Sequence, residues 1–167
     1  DMQRIKQMEI IPSIRPEVTL ADKFVLNDII KSENGQNLGL WNTLYKQNNI
    51  IISGTDFPYH TISPLVVMYY LSSGLSLDTA LNRVANNTAQ KLTVLEALKS
   101  FTVYAAYASF ADEVKGTLEK DKFADMVVLS DDIVSQDAAA LLKAKILMTI
   151  VRGEVVFENK SPGAMLY

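Results

Sequence analysis

Ile50-Ile51-Ile52 opens an apolar, β-branched run that continues through Ser53-Gly54-Thr55 and stops at Asp56-Phe57-Pro58. A strand covered on one face alternates apolar and polar residues. A run without alternation suits a strand buried on both faces, the kind that parallel sheets contain. Such a strand reaches its partner through a crossover, usually a helix. The upstream sequence offers a partner: Ile10-Ile11-Pro12-Ser13-Ile14-Arg15-Pro16 reads as a short buried strand ended by proline. Between the two lie helical spacings at Asp22–Ile30 and Leu40–Tyr45. The polar stretch Lys31–Gly39, with its Asn34-Gly35, separates them as a loop, and Asn48-Asn49 ends the second. Met2–Met8 also has helical spacing, so the order is helix, strand, helix, strand, which predicts βα units.

Further along, Pro64–Leu71 and Leu77–Val84 read as helices. Thr93-Val94-Leu95-Glu96 has the pattern of a capping box, in which the threonine hydroxyl and the glutamate carboxylate each accept from the other residue's backbone N–H. Leu92 is placed to staple onto Ala97, and Val94, Ala97, Leu98, Phe101 and Ala105 fall on one face of a helix predicted to run to about Phe110. The character of the chain then changes. Ala124–Leu129 reads as a strand ended by Asp131-Asp132, Ala138–Leu142 as a short helical stretch, and Ile146–Val151 as another strand. Arg152-Gly153 makes a two-residue turn into a return strand, Glu154–Phe157, and a loose tail follows from Lys160 to Tyr167. This predicts two domains, residues 1–112 and 113–167.

Neither part is complete by this reading. The chain has 167 residues, whereas a (β/α)₈ barrel typically takes about 250. Three short strands do not make a sandwich. The chain begins at Asp1 rather than Met, as expected of one processed, cut or excised from something longer. The composition, 49% hydrophobic and 21% charged, is that of a globular protein. A net charge of −3 without a Lys/Arg cluster argues against a nucleic-acid partner, and no apolar run is long enough for a membrane partner. There is no cysteine, which excludes disulfides and thiolate metal sites and fits a cytoplasmic setting.

Few residues can carry chemistry. Asp56 lies at the C-terminal end of a predicted parallel strand, the end that faces the active site in α/β barrels. A carboxylate there can hold a metal or take a proton from water, and Gly54 leaves room for close approach. Spacing alone favours a turn-capping aspartate, since Asp is a common turn residue. Arg15, after the earlier strand, is a candidate for binding a substrate carboxylate, and the alternative is a solvated loop arginine. His60 is the single histidine. A catalytic zinc site normally needs three protein ligands, so His60 reads as a loop residue and a candidate substrate contact rather than a ligand. Trp41, Tyr45, Phe101, Tyr104 and Tyr107 fall at helical spacings that packing explains. Asp131-Asp132 reads as a solvated turn and Asp22 as a helix cap.

Taken in order, these segments resemble the amidohydrolase superfamily in its YtcJ-like branch (amidohydrolase family 3). Ile11–Pro16 is similar to its next-to-last barrel strand, and Ile51-Ile52-Ser53-Gly54-Thr55-Asp56-Phe57-Pro58 to its last. Leu92–Leu98 with Phe101–Ala106 resembles the helix that follows. Lys115–Glu119 through Lys122–Leu129 resembles the return into a small β domain, and Met148–Phe157 its closing hairpin. The resemblance implies an α/β fold: the last βα units of a (β/α)₈ TIM-type barrel, then C-terminal strands of a small β-sandwich. It implies metal-assisted hydrolysis of a non-peptide amide-type C–N bond in a small molecule, with Asp56 as metal ligand and as base toward the attacking water. The cofactor implied is a divalent metal, zinc first, which lowers the pKa of its water to about 7. Two positions depart from the pattern. Asp121 stands where the family usually has Gly, and Arg15 where this branch often has Gln. The His-x-His of the first strand, the middle-strand ligands and the N-terminal sandwich strands have no counterpart here. The expected partner is therefore the missing N-terminal barrel part, and association into a homo-oligomer is compatible with it.

Two other readings remain open from sequence. The chain could be a non-catalytic fragment or association module whose exposed barrel edge pairs with a partner chain. It could also be an unrelated small α/β domain, which a self-contained core with paired strand edges would support.

Overall fold

The computed structural model describes residues 2–16, 39–59, 63–75 and 87–160. The helices expected over Asp22–Ile30 and Leu77–Val84, most of the Lys31–Gly39 loop, His60 and all of the tail after Lys160 lie outside the described residues. The architecture is mixed α/β: a two-stranded parallel pair with helices around it, then a three-stranded antiparallel sheet.

Helix α1 (Met2–Gln7) precedes strand β1 (Ser13–Ile14). Helix α2 (Trp41–Asn48) stops at Asn49, whose left-handed backbone (φ 59°) lets its N–H close onto the carbonyl of Tyr45; asparagine accepts that conformation at modest cost. Strand β2 (Ile52–Ser53) then pairs in parallel with β1, Ser13 opposite Ile52 and Ile14 opposite Ser53. The expectation of burial on both faces holds at Ile51, which is fully buried, but residues 52–56 are only half-buried. The physical reason is the short sheet: among the described residues β2 has one strand neighbour, so no described strand covers its other edge.

Helix α3 (Pro64–Ser73) begins with proline at its first turn, where the missing N–H costs no hydrogen bond. It is apolar around most of its circumference and is correspondingly buried from Val67 onward. It ends at Gly74 (φ 70°), and a Cβ there would lie 2.8 Å from backbone atoms of Asn87 and Thr88. Left-handed geometry and close backbone approach both require glycine at that point.

Helix α4 (Val94–Phe101) carries the full capping box: the Thr93 hydroxyl accepts from Glu96 N–H at 3.2 Å, and the Glu96 carboxylate accepts from Thr93 N–H at 2.7 Å. Leu92 and Ala97 are both buried in one core, as a staple requires. The helix does not run unbroken to Phe110. It breaks at Thr102 (φ −122°, ψ −94°) and resumes as α5 (Val103–Ala108). The Thr102 hydroxyl donates to the carbonyl of Leu98 at 2.8 Å, the back-bonding that bends helices. Gly116 packs into the bend, where a Cβ would come within 2.6 Å of the Ala106 Cβ. The break also puts α5 out of phase with α4, which is why Tyr107, expected to pack, is instead 53% exposed.

The last sheet has the order β3-β4-β5, with β3 (Met126–Leu129), β4 (Ile146–Val151) and β5 (Glu154–Glu158). Arg152 and Gly153 both have positive φ (51° and 83°), the geometry a two-residue hairpin turn demands. Asp125 accepts from the Arg152 N–H at 2.8 Å, and the guanidinium lies 5.1 Å from the Phe123 ring centre, which compensates for a non-glycine residue in that position. A 3₁₀ helix (Ala138–Leu142), capped by the Asp137 carboxylate on Ala139 N–H at 2.9 Å, packs against α3. Ile133 and Leu141 thereby join Trp41, Met68 and Leu71 in one core cluster.

Asp121, where the resemblance places glycine, has a left-handed backbone, φ 70°. A side chain in that region costs about 1 kcal/mol, less for aspartate than for most residues. Asp121→Gly is therefore expected to raise stability by up to about 1 kcal/mol, or roughly 2–4 °C in Tm for a domain of this size. A thermal melt with unchanged or lower Tm would show that the Asp121 side chain makes up for its backbone.

Candidate functional site

Because β1 and β2 are parallel, their C-terminal ends open on the same side, and each is followed by one of the residues singled out from sequence. Arg15 comes directly after β1, and Asp56 follows β2 past Gly54 and Thr55. The two meet: Arg15 Nη1 donates to Asp56 Oδ2 in an ion pair. Both side chains remain open to solvent, 51% and 36% exposed, so the pair contributes at most about 1 kcal/mol to stability. Its importance is where it holds the carboxylate. Asp56 has a left-handed backbone (φ 52°), its carbonyl accepts from Tyr59 N–H at 3.0 Å, and the Phe57–Pro58 peptide is cis. At Gly54 an added Cβ would meet nothing within 4 Å among the described residues. Phe57 and Tyr59 stand exposed beside it, 60% and 84%.

Behind the strand, the Ser53 and buried Ser100 hydroxyls lie 3.0 Å apart, which fixes α4 against β2. Tyr45 and Tyr104 pair through hydroxyls 3.3 Å apart. Chiefly through that hydrogen bond, Tyr45 is pushed up to about 12, so it keeps its proton at neutral pH. Asp132 accepts from the N–H groups of Val134 and Ser135 at 2.9 and 3.1 Å. Its carboxyl is lowered from the usual range, first by the Ser135 side chain and then by the two backbone donors. Asp131-Asp132 is thus a self-capped, solvated turn. Sequence singled out Arg15 and Asp56 separately, and their contact was not foreseen. Both sit after predicted strands, so a parallel register would have brought them together.

No group of three or more His, Cys, Asp or Glu side chains that could hold a metal occurs among the described residues. Asp56 is one carboxylate already engaged by an arginine, so the donor set among the described residues does not by itself fit a metal ion. No helix among the described residues is long and apolar enough to cross a membrane.

The sequence model of the amidohydrolase family matches residues 1–157. The chain belongs to this amidohydrolase family. A relative from Bacillus subtilis (strain 168), YtcJ, named as an amidohydrolase, is 25% identical over 158 residues, which are 95% of this chain and 30% of the relative. Two solved structures share the fold. An amidohydrolase from Thermotoga maritima MSB8 superimposes with a TM-score of 0.61 at 17% identity, over 95% of this chain and 34% of its own. E. coli guanine deaminase does so with a TM-score of 0.62 at 18% identity, over 95% and 36%. This amidohydrolase chain therefore spans about a third of the length of the proteins it matches. Members of the family are hydrolases that generally use divalent metals.

Proposed function

We propose that this chain is the C-terminal portion of a metal-dependent amidohydrolase that cleaves a non-peptide amide-type C–N bond in a small molecule, and that it is inactive alone. The supporting observation is the position of Asp56: a half-exposed carboxylate at the C-terminal end of a parallel strand, with open space at Gly54 among the described residues. In this reading β1 and β2 are the last two strands of a (β/α)₈ barrel. Residues 1–112 form its end, and residues 113–167 form part of a composite sandwich. Asp56 takes the proton of the attacking water and passes it to the leaving nitrogen. It would also help to hold a divalent metal, with zinc proposed, alongside ligands that the described residues do not supply. Arg15 offers its guanidinium to an anionic group of the substrate, and His60, four residues beyond Asp56, is proposed as a second substrate contact. The proposed setting is cytoplasmic.

A second reading is supported by β5, exposed along its whole length, and by an edge of β2 that no strand covers among the described residues: a non-catalytic association module. Native mass spectrometry with metal analysis separates the two. The chain alone is expected to carry no stoichiometric metal. The chain joined to the remaining barrel is expected to carry metal and to hydrolyse amide-type substrates. A metal-free, inactive assembly would remove the enzymatic reading.

A further inference from the structure

Arg15 and Asp56 engage each other, although the proposed reaction needs both for other partners: the guanidinium for an anionic group of the substrate, the carboxylate for the proton of water. The backbones on both sides are held. Arg15 stands between Ile14, which is in register with Ser53, and the fully buried Pro16. The Asp56 carbonyl accepts from Tyr59 N–H at 3.0 Å, and its backbone is left-handed, φ 52°. Continued by one residue, the parallel register sets Arg15 beside Gly54, and Asp56 lies two residues, about 7 Å of extended chain, farther on. The turn that begins at Asp56 ends that extended course. What joins the two residues is a contact between side-chain ends, which can open without moving either strand.

The strength of the pair suits exchange. Both side chains keep access to water, so the closed state is favoured by about fivefold at most, or ~1 kcal/mol. A fully buried pair would be a fixed bond, because parting it strands a charge away from water. The guanidinium fork matches a carboxylate, and the group it holds in the structure is itself a carboxylate. A carboxylate of the substrate therefore takes the place of Asp56 on Arg15 with no change in the kind of bond. Asp56 then loses its counter-charge and stands half-exposed, able to accept a proton. An amide without an anionic group meets Asp56 engaged for most of the time.

We infer that Arg15 and Asp56 form a latch that a substrate carboxylate opens: the carboxylate takes the guanidinium, and Asp56 is thereby released to act as base. The substrate class is an amide that carries a carboxylate. The inference rests on the proposed role of Asp56 as base, whereas the exchange itself belongs to the ion pair and is read without hydrolysis.

The test is amide NMR of the 167-residue chain, titrated with sodium acetate and, at equal ionic strength, with sodium chloride. Arg15→Gln and Asp56→Asn change exposed side chains, so resonances remote from the pair should overlay the parent. Acetate is expected to move the Arg15 and Asp56 resonances, Asp56 toward its position in Arg15→Gln, and chloride to leave them in place. Asp56→Asn is expected to bind acetate about fivefold more tightly than the parent, because no internal carboxylate competes for Arg15. In the full-length enzyme, acetate is expected to raise hydrolysis of the neutral amide 4-nitroacetanilide up to about fivefold, and to have no such effect in Arg15→Gln. Acetate binding with the Asp56 resonance unmoved, an equal response to chloride, or equal acetate affinity in Asp56→Asn overturns the latch. Exchange in the spectra without any effect of acetate on hydrolysis would instead remove the base role of Asp56 and leave the exchange standing.

Discussion

On the proposed role of Asp56 as base, Asp56→Asn is expected to lower kcat/KM of the full-length enzyme about a thousandfold, the middle of the range that a positioned general base supplies. The substitution is close to isosteric. Asparagine tolerates the φ of 52° at this position, and the lost ion pair with a half-exposed Arg15 costs at most about 1 kcal/mol. Folding should therefore survive, and circular dichroism of the variant should overlay the parent. Arg15→Gln separates the roles: a substrate-anion contact raises KM and leaves kcat largely in place, because uniform binding is lost. If Asp56→Asn retained more than about a tenth of the activity, Asp56 would be a turn residue and the base would have to be sought elsewhere.

Leu71→Ala should come close to unfolding the chain. Leu71 is fully buried in the helix Pro64–Ser73, in the cluster that also holds Trp41, Ile133 and Leu141. Its carbonyl accepts from Leu92 N–H at 3.0 Å, so the helix cannot easily slide inward to fill a void. A rigid site is where truncation costs most, about 4 kcal/mol for a leucine whose cavity does not collapse. Native domains have only about 5–15 kcal/mol in total. Urea denaturation should show the midpoint falling steeply, while Leu71→Met, which conserves volume, stays within about 1.5 kcal/mol of the parent. Equal effects from the two would mean that this core is loosely packed.

The elements legible in the sequence are those set by neighbouring residues. The hairpin Ile146–Val151 and its Arg152-Gly153 turn came out as read, because a two-residue turn fixes register locally. The capping box at Thr93 and Glu96 did so because its partners are three residues apart. What escaped depends on distant parts of the chain. The break at Thr102 is tied to Gly116 packing into it. The half-exposure of residues 52–56 reflects which strands lie alongside. The contact between Arg15 and Asp56 follows from strand register. Asp56 is singled out by its position at a strand end, yet nothing in its immediate sequence distinguishes a base from a cap.

The parallel pairing of Ser13 with Ile52 bears on how the chain acquires its structure in time. The hairpin at Ile146–Glu158 closes through two residues and can form within about 1–10 μs. The β1–β2 pair cannot form until the whole intervening crossover has been gathered, so its loop-closure entropy is spent before any of its contacts is gained. Arg15 and Asp56 are thus brought together later than the two arms of that hairpin, and the uncovered edge of Ile52–Ser53 stays open to wrong pairings throughout that interval.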